Sequence, residues 1–381
     1  MSRSRLFVVA VLALALTACS EQPPVAKPTN TTAPDPNTYI SFAFTGDVLT
    51  HTPLIEQAQR TAIAKGSTAE YDFTPMFEDV KQFVQSADLA MCHLETPIAP
   101  DGEELSAFPF FGVPKEVVTA IANAGFDRCS TASNHTYDRG LDGIDATVNA
   151  LLENGVDQSG MARTPDEIEP RIVEVKGVRL CFLSYTFSYN GLKLPEGQEW
   201  RSAVINPDRI LRDAQRARQL GSEATIVSMH WGNEKESQAN SMQTGIAETL
   251  TASGLVDLIV GHHAHVVQPI EQVNGVWVMY GLGNVLSNLP TDERWPANSQ
   301  DAAIATIKLT KRPSGKISFD RPQVMPTWVD KRNGWVIRDV LTMLSDPKTD
   351  YGTARELELS LGRTTRVLVQ FRNQFLDRSA L

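Results

Sequence analysis

The stretch Leu258-Ile259-Val260-Gly261-His262-His263-Ala264-His265 constrains this chain more tightly than any other. Three β-type apolar residues and a glycine read as a buried strand, and His262, His263 and His265 then stand where that strand leaves its sheet. Three of the seven histidines in 381 residues fall within four positions. Histidine is the commonest metal ligand, and neutral imidazole suits borderline cations such as Zn, Mn and Fe. Open α/β sheets build their sites at the carboxyl ends of strands. A polar surface turn is the bland reading, and so dense a cluster makes it a poor one. The stretch predicts a metal centre.

The same arrangement recurs along the chain. Residues 39–44 read as a strand running into Thr45-Gly46-Asp47, and residues 87–92 as one running into His93-Leu94-Glu95. Residues 126–131 deliver Ser133-Asn134-His135, and residues 224–228 run into Met229-His230-Trp231-Gly232-Asn233-Glu234. Helical patterns lie between them, at 75–86, 113–124, 140–154, 208–220 and 241–252. Two of these stop at Gly125 and Gly155, where a left-handed cap wants glycine. Helix alternating with strand is the pattern of an α/β fold. Taken singly, Asp47 could be a helix N-cap, and Glu234 and Asn284 could merely cap loops. Asp47, Glu95, Asn134 with His135, His230, and His263 with His265 together occupy five strand ends in chain order. That is the pattern of a composite metal site carried on loops.

The flanks read differently. Arg3 and Arg5 precede an apolar run at 6–16, too short to span a bilayer comfortably, so residues 1–18 are expected to be a signal peptide. Leu16-Thr17-Ala18-Cys19 has the form of a lipobox, which predicts acylation of Cys19 and an exported, membrane-anchored lipoprotein; an ordinary leader cut near Ala18 is the alternative. Residues 19–37 are rich in Pro, Thr and Ala and read as a flexible tether. The main domain is expected over 38–300, and residues 301–381 as a small α+β extension capping it, with strands at 303–309, 316–319 and 366–371 and a helix at 353–361. A formal charge of −10 without a Lys/Arg cluster argues against nucleic acid as a partner. No Gly-x-x-x-x-Gly-Lys-Ser/Thr loop is present to bind ATP. Cys92, Cys129 and Cys181 match no zinc spacing and are expected as buried free thiols, although an exported compartment would permit one disulfide.

Six motifs stand in an order that resembles the CapA family of capsule and poly-γ-glutamate synthesis proteins, related in fold to the calcineurin-like metallophosphoesterases. They are Thr45-Gly46-Asp47-Val48, His93-Leu94-Glu95-Thr96-Pro97, the run from Ser133-Asn134-His135 to Gly140, Met229-His230-Trp231-Gly232-Asn233-Glu234, Gly261 to Val266, and Tyr280-Gly281-Leu282-Gly283-Asn284. The resemblance covers residues 39–288. It implies a four-layer α-β-β-α sandwich and a centre of two divalent ions, Mn, Zn or Fe. Carried onto this chain, it implies Asp47 on one ion, Asn134 and His230 on the other, Glu95 bridging where phosphoesterases carry Asp, and His263 and His265 on one ion each. His135 would act beside the metals as general acid, while Asp138, Glu234 and Asn284 would orient the ligands from behind. Two departures stand out: Leu49 occupies the histidine position of the phosphoesterase Asp-x-His motif, with His51 the nearest substitute, and His93 stands where the family carries Asn.

The function so implied is a metal-dependent, phosphoesterase-like hydrolase in capsule or poly-γ-glutamate synthesis, export or processing. Its substrate would be an anionic surface polymer or a phosphoester, and its partners the membrane, through the lipid, and other capsule synthesis proteins. The alternative is a non-catalytic, metal-containing accessory protein of the polymer export machinery. Trp231, Tyr137 and Phe187 are candidate walls of a substrate cleft, or simply packing.

Overall fold

A computed structural model describes residues 36–371; the leader, Cys19 and nearly all of the tether lie outside them. The chain runs β1 (Thr38–Val48), α1 (Thr52–Lys65), α2 (Glu78–Gln85), β2 (Leu89–Leu94), α3 (Glu116–Ala124), β3 (Arg128–Ser130), α4 (Gly140–Glu153) and β4 (Asp157–Ser159). It continues through α5 (Pro165–Ile168), β5 (Ile172–Val175), β6 (Val178–Thr186), α6 (Pro207–Gln219), β7 (Ala224–His230), α7 (Ser241–Ala252), β8 (Leu258–His262), β9 (Ile270–Val273) and β10 (Val276–Met279). The last elements are β11 (Asp301–Lys311), β12 (Ile317–Phe319), β13 (Gln323–Asp330), β14 (Val336–Asp339), α8 (Val340–Ser345) and α9 (Tyr351–Val367).

Two mixed sheets result. One has the order β14-β13-β11-β1-β2-β3-β4, with β12 beside β11, and the other β5-β6-β7-β8-β10-β9. The strands β1 to β4 are mutually parallel, as are β6, β7, β8 and β10. Alternation along β1 shows how the layers form, because successive side chains point to opposite faces. Ile40, Phe42 and Phe44 pack against Leu180, Ile226 and Leu258 between the sheets, whereas Ala43 and Val48 face the cluster containing α1, α2 and α3. Val227 and Ile259 of the second sheet face α6 and α7. The expected four layers are present. Burying a phenylalanine such as Phe42 contributes about 1.5–3 kcal/mol.

Three expectations need correction. Residues 301–371 do not cap a finished domain. β11 pairs antiparallel with β1 from Thr38↔Lys311 to Phe44↔Ala305, and β13 and β14 extend the same sheet beyond it. The physical reason is that β1 would otherwise present an open edge of unpaired backbone groups. The expected strand at 366–371 is instead the end of α9 and a 3-10 turn at Val369–Phe371. Asp350 caps α9 by accepting from the Thr353 amide, and Leu357, Ser360 and Thr364 are buried at helical spacing. Finally, Cys92 and Cys129 are not free thiols: they face each other in register across β2 and β3, with Cα atoms 4.5 Å apart, and form a disulfide. Cys181 is free and buried. Disulfides persist in oxidising compartments, so this pair points outside the cytoplasm. Among the described residues no helix is long and apolar enough to cross a membrane.

Candidate metal centre

The site lies where the carboxyl ends of parallel strands from both sheets meet. β1 brings Asp47, β2 carries His93 and is followed by Glu95, the loop after β3 holds Asn134 and His135, and β7 ends in His230. β8 ends in His262, with His263 and His265 just beyond. Local backbone features aim these residues. The pairing of β1 with β2 is irregular between Phe44 and Asp47, and such bulges re-aim side chains. A Cβ on Gly46 would meet the Gly283 carbonyl oxygen at 2.0 Å, so only glycine lets the Asp47 amide reach that oxygen at 2.8 Å. His263 and His265 adopt φ of +89° and +57°, a region that costs a non-glycine residue about 1–3 kcal/mol. In return, the His263 amide donates to Asp47 Oδ2 at 3.2 Å and ties the two sheets together.

Among the described residues four triplets of donor atoms lie within 4.8 Å of one another, and two of them, Asp47/Glu95/His265 and Glu95/His230/His263, overlap at Glu95. Glu95 belongs to both. It is wholly buried, and neither of its carboxylate oxygens has a hydrogen-bond partner. Asp47 Oδ1 and His263 Nδ1 are likewise buried and unbonded. Imidazoles stand close, His265 Nε2 3.6 Å from Glu95 Oε1 and His262 Nδ1 3.3 Å from Asp47 Oδ1. Buried carboxylates are nonetheless costly without hydrogen bonds, and this set of carboxylate and imidazole donors fits a cation. Asn134 joins through its Oδ1, 2.9 Å from His230 Nε2.

The electrostatics agree with that donor set. Burial pushes the Glu95 carboxyl well above the usual carboxylate range. Burial also works to raise Asp47, but contacts with His262 and His265 hold it well below its ordinary value. His93 and His230 are driven well below the ordinary imidazole value by burial and by neighbouring imidazoles, and burial brings His263 down to about 3. These rings are neutral, the form in which imidazole binds metal. His265 moves the other way: burial lowers it, and the Glu95 and Asp47 carboxylates outweigh that.

Residues behind the donors fix their orientation. Asn284 Oδ1 meets His265 Nδ1 at 2.9 Å, while its amide donates to the His265 and Ser299 carbonyls. His93 Nε2 lies 2.9 Å from His230 Nδ1, and its Nδ1 lies 2.8 Å from Ser130 Oγ. Asp47, His93 and His262 also lie close together, but the His93 and His262 rings stack at 4.0 Å and 11°. Their in-plane lone pairs run side by side and do not converge on one ion, so this layer supports the centre from beneath. His135 Nδ1 bonds Asp138 Oδ2 at 2.7 Å, and the same oxygen accepts from the Phe111 amide.

Residues 41–289 match the model of the family described as bacterial capsule synthesis protein PGA_cap. The chain belongs to this family. It is 25% identical over 242 residues to the capsule biosynthesis protein CapA of Bacillus anthracis, covering 61% of this chain and 57% of that protein. It is 24% identical over 287 residues to the PGA biosynthesis protein CapA of Bacillus subtilis, covering 73% and 70%. The chain thus spans little more than half the length of the first of these relatives. Among solved structures, the calcineurin-like phosphoesterase YfkN from Bacillus subtilis aligns with a TM-score of 0.47 at 12% identity, over 87% of this chain and 98% of that one.

Neither of the two positions after Asp47 that could supply a further ligand does so. Leu49 turns its side chain into the helix-side core, so β1 offers no second ligand there. His51 does not replace it: its Nδ1 lies 3.0 Å from the Leu49 carbonyl oxygen and accepts the Asn288 amide at 3.2 Å, and it belongs to neither donor triplet. Of the expected cleft walls, Trp231 is fully buried with its indole N–H on the Tyr280 carbonyl, and Tyr137 packs on Ile144, Val148 and Met161. Phe187 is 36% exposed and covers His263 at 4.5 Å. Two rings that the sequence pattern did not single out complete the surround: Phe111 edge-on to His135 at 4.7 Å and Trp295 edge-on to His265 at 5.5 Å. Neither follows a strand in the pattern that marked the ligands.

Proposed function

We propose that this chain is a metal-dependent, phosphoesterase-like hydrolase of the cell surface that works in capsule or poly-γ-glutamate synthesis, export or processing. Glu95 carries the reading. A wholly buried carboxylate with neither oxygen hydrogen-bonded, common to two donor triplets, is placed where it would serve two cations at once. Asp47, Glu95 and His265 would hold one divalent ion, and Glu95, Asn134, His230 and His263 the other, with Mn, Zn and Fe the candidates for this mixed N/O donor set. When bound, such a pair supplies Lewis-acid polarisation of substrate oxygens and acidifies water. The protein does the rest. Asp138 fixes the His135 ring through Nδ1, which leaves Nε2 as the atom that passes a proton to a departing oxygen. Phe111 packs edge-on against that ring, and His93 holds His230 in a single orientation.

The substrate is an anionic surface polymer or a phosphoester, and acylation of Cys19 would keep the enzyme at the membrane. Leu49 favours a second reading, a non-catalytic accessory protein of the export machinery, because it removes one ligand. The two separate in one experiment on the full chain purified without chelator. Metal content is measured, and chromogenic phosphodiester and monoester are assayed with Mn or Zn. The enzyme reading expects about two ions per chain and ester turnover that falls about 10²–10⁴-fold in His135→Ala while the metal stays. One ion or none, with no turnover of either ester, supports the accessory reading.

A further inference from the structure

Glu234 is an exposed carboxylate in the loop after β7 that forms no hydrogen bond or ion pair among the described residues. Its place is fixed by its neighbours. The Trp231 amide donates to the His262 carbonyl at 3.2 Å, and the Lys235 amide to the Ala264 carbonyl at 2.8 Å. These two bonds pin residues 231–235 along the histidine stretch with Glu234 between them. The turn is taken at some cost, since Lys235 has a φ of +70°. The neighbouring Lys235 is engaged elsewhere: its Nζ lies over the Trp295 ring, 4.5 Å from its centre. One Glu234 oxygen comes within 4.8 Å of a ring nitrogen of both His263 and His265. These are the histidines assigned above to different ions. Glu95 approaches the same centre from the buried side, and Glu234 from solvent.

Resting on the reading that the centre binds two ions, we propose that Glu234 is a direct ligand, supplying from the solvent side the donor that Leu49 removes from the end of β1. The centre then has three carboxylates, Asp47, Glu95 and Glu234. An added oxygen donor shifts selectivity toward harder ions, Mn over Zn.

The test uses the full chain stripped by chelator and titrated with Mn²⁺, free Mn²⁺ being read by EPR, for wild type, Glu234→Gln and Glu236→Gln. Glu236, exposed and bonded to Asn233, is the control. Glu234 is exposed and unbonded, so its amide variant keeps the fold, which circular dichroism checks. Expected is a loss of one Mn²⁺, or a weakening of about 10–100-fold, in Glu234→Gln alone. The Co²⁺ visible band of that variant should also gain intensity as coordination number falls. Unchanged Mn²⁺ affinity overturns the assignment and leaves the centre standing. Weaker affinity with an unchanged Co²⁺ band also overturns it, because the carboxylate then acts only through space. A wild type that binds no ion overturns the assignment and the metal reading together.

Discussion

Burial of Glu95 with no hydrogen bond to either oxygen should leave the stripped protein less stable than its ion-loaded form. The carboxyl sits well above its usual range with His265 Nε2 3.6 Å away, and a cation bound to the folded state relieves that burial cost. Mn²⁺ at a hundredfold excess over its dissociation constant should therefore stabilise the chain by about 2.7 kcal/mol for each site. Glu95→Gln should be at least as stable as wild type when stripped and gain little from Mn²⁺, a crossover that thermal melts with and without the ion would reveal. Lys331 offers an independent check away from the donors. Burial lowers its amine from the ordinary 10.5 to about 8, and the amine donates to the Leu289 carbonyl. Between those values the unfolded chain holds a proton that the folded chain has released, so stability rises with pH through that window. Urea denaturation from about pH 7.5 to about pH 10.5 should show that rise in wild type and a flatter profile in Lys331→Met.

At this scale the candidate ligands were legible because each stands at or just past the end of a strand: Asp47, Glu95, His230, His263 and His265 could be read from strand ends alone. The Ser130–His93–His230 chain could not, since it depends on which strands become neighbours.

Among the elements, the β2–β3 pair bears most directly on the centre. Cys92 precedes His93 and Cys129 precedes Ser130, so the disulfide clamps the strands that carry the His93–Ser130 contact. Closing a loop of this length is worth about 4 kcal/mol in the chain-entropy model. Cys92→Ala/Cys129→Ala should lose about that much in denaturant titrations, and reductant should do the same to wild type while leaving the double variant unmoved. Reading these cysteines as thiols was a failure of register, because composition does not say which residues of two separate strands stand opposite. The end of α9 was missed for a related reason: the apolar residues at 366–371 suit a strand locally, but the cap at Asp350 and the buried face through Thr364 extend the helix into them.

For the molecule as a whole, the α/β class followed from the alternation of patterns and the four layers from the family resemblance, while the role of the last fifth followed from neither. Its strands were visible at 303–309 and 316–319, yet nothing local says that β11 lies beside β1. A chain ending at residue 300 should therefore fail to fold, showing no cooperative melt by circular dichroism and no metal uptake, whereas a detachable cap would leave both intact. The same pairing dictates timing. β1, which carries Asp47, is the first strand of the described residues, and its partner β11 is not complete until Lys311. Contacts of such long sequence separation form late. While the chain is still being threaded from ribosome or membrane, Asp47 stands on a strand with one open side, and the donor set is unfinished. The donor set is therefore completed only when β11 has closed that side, after every candidate ligand has already been made.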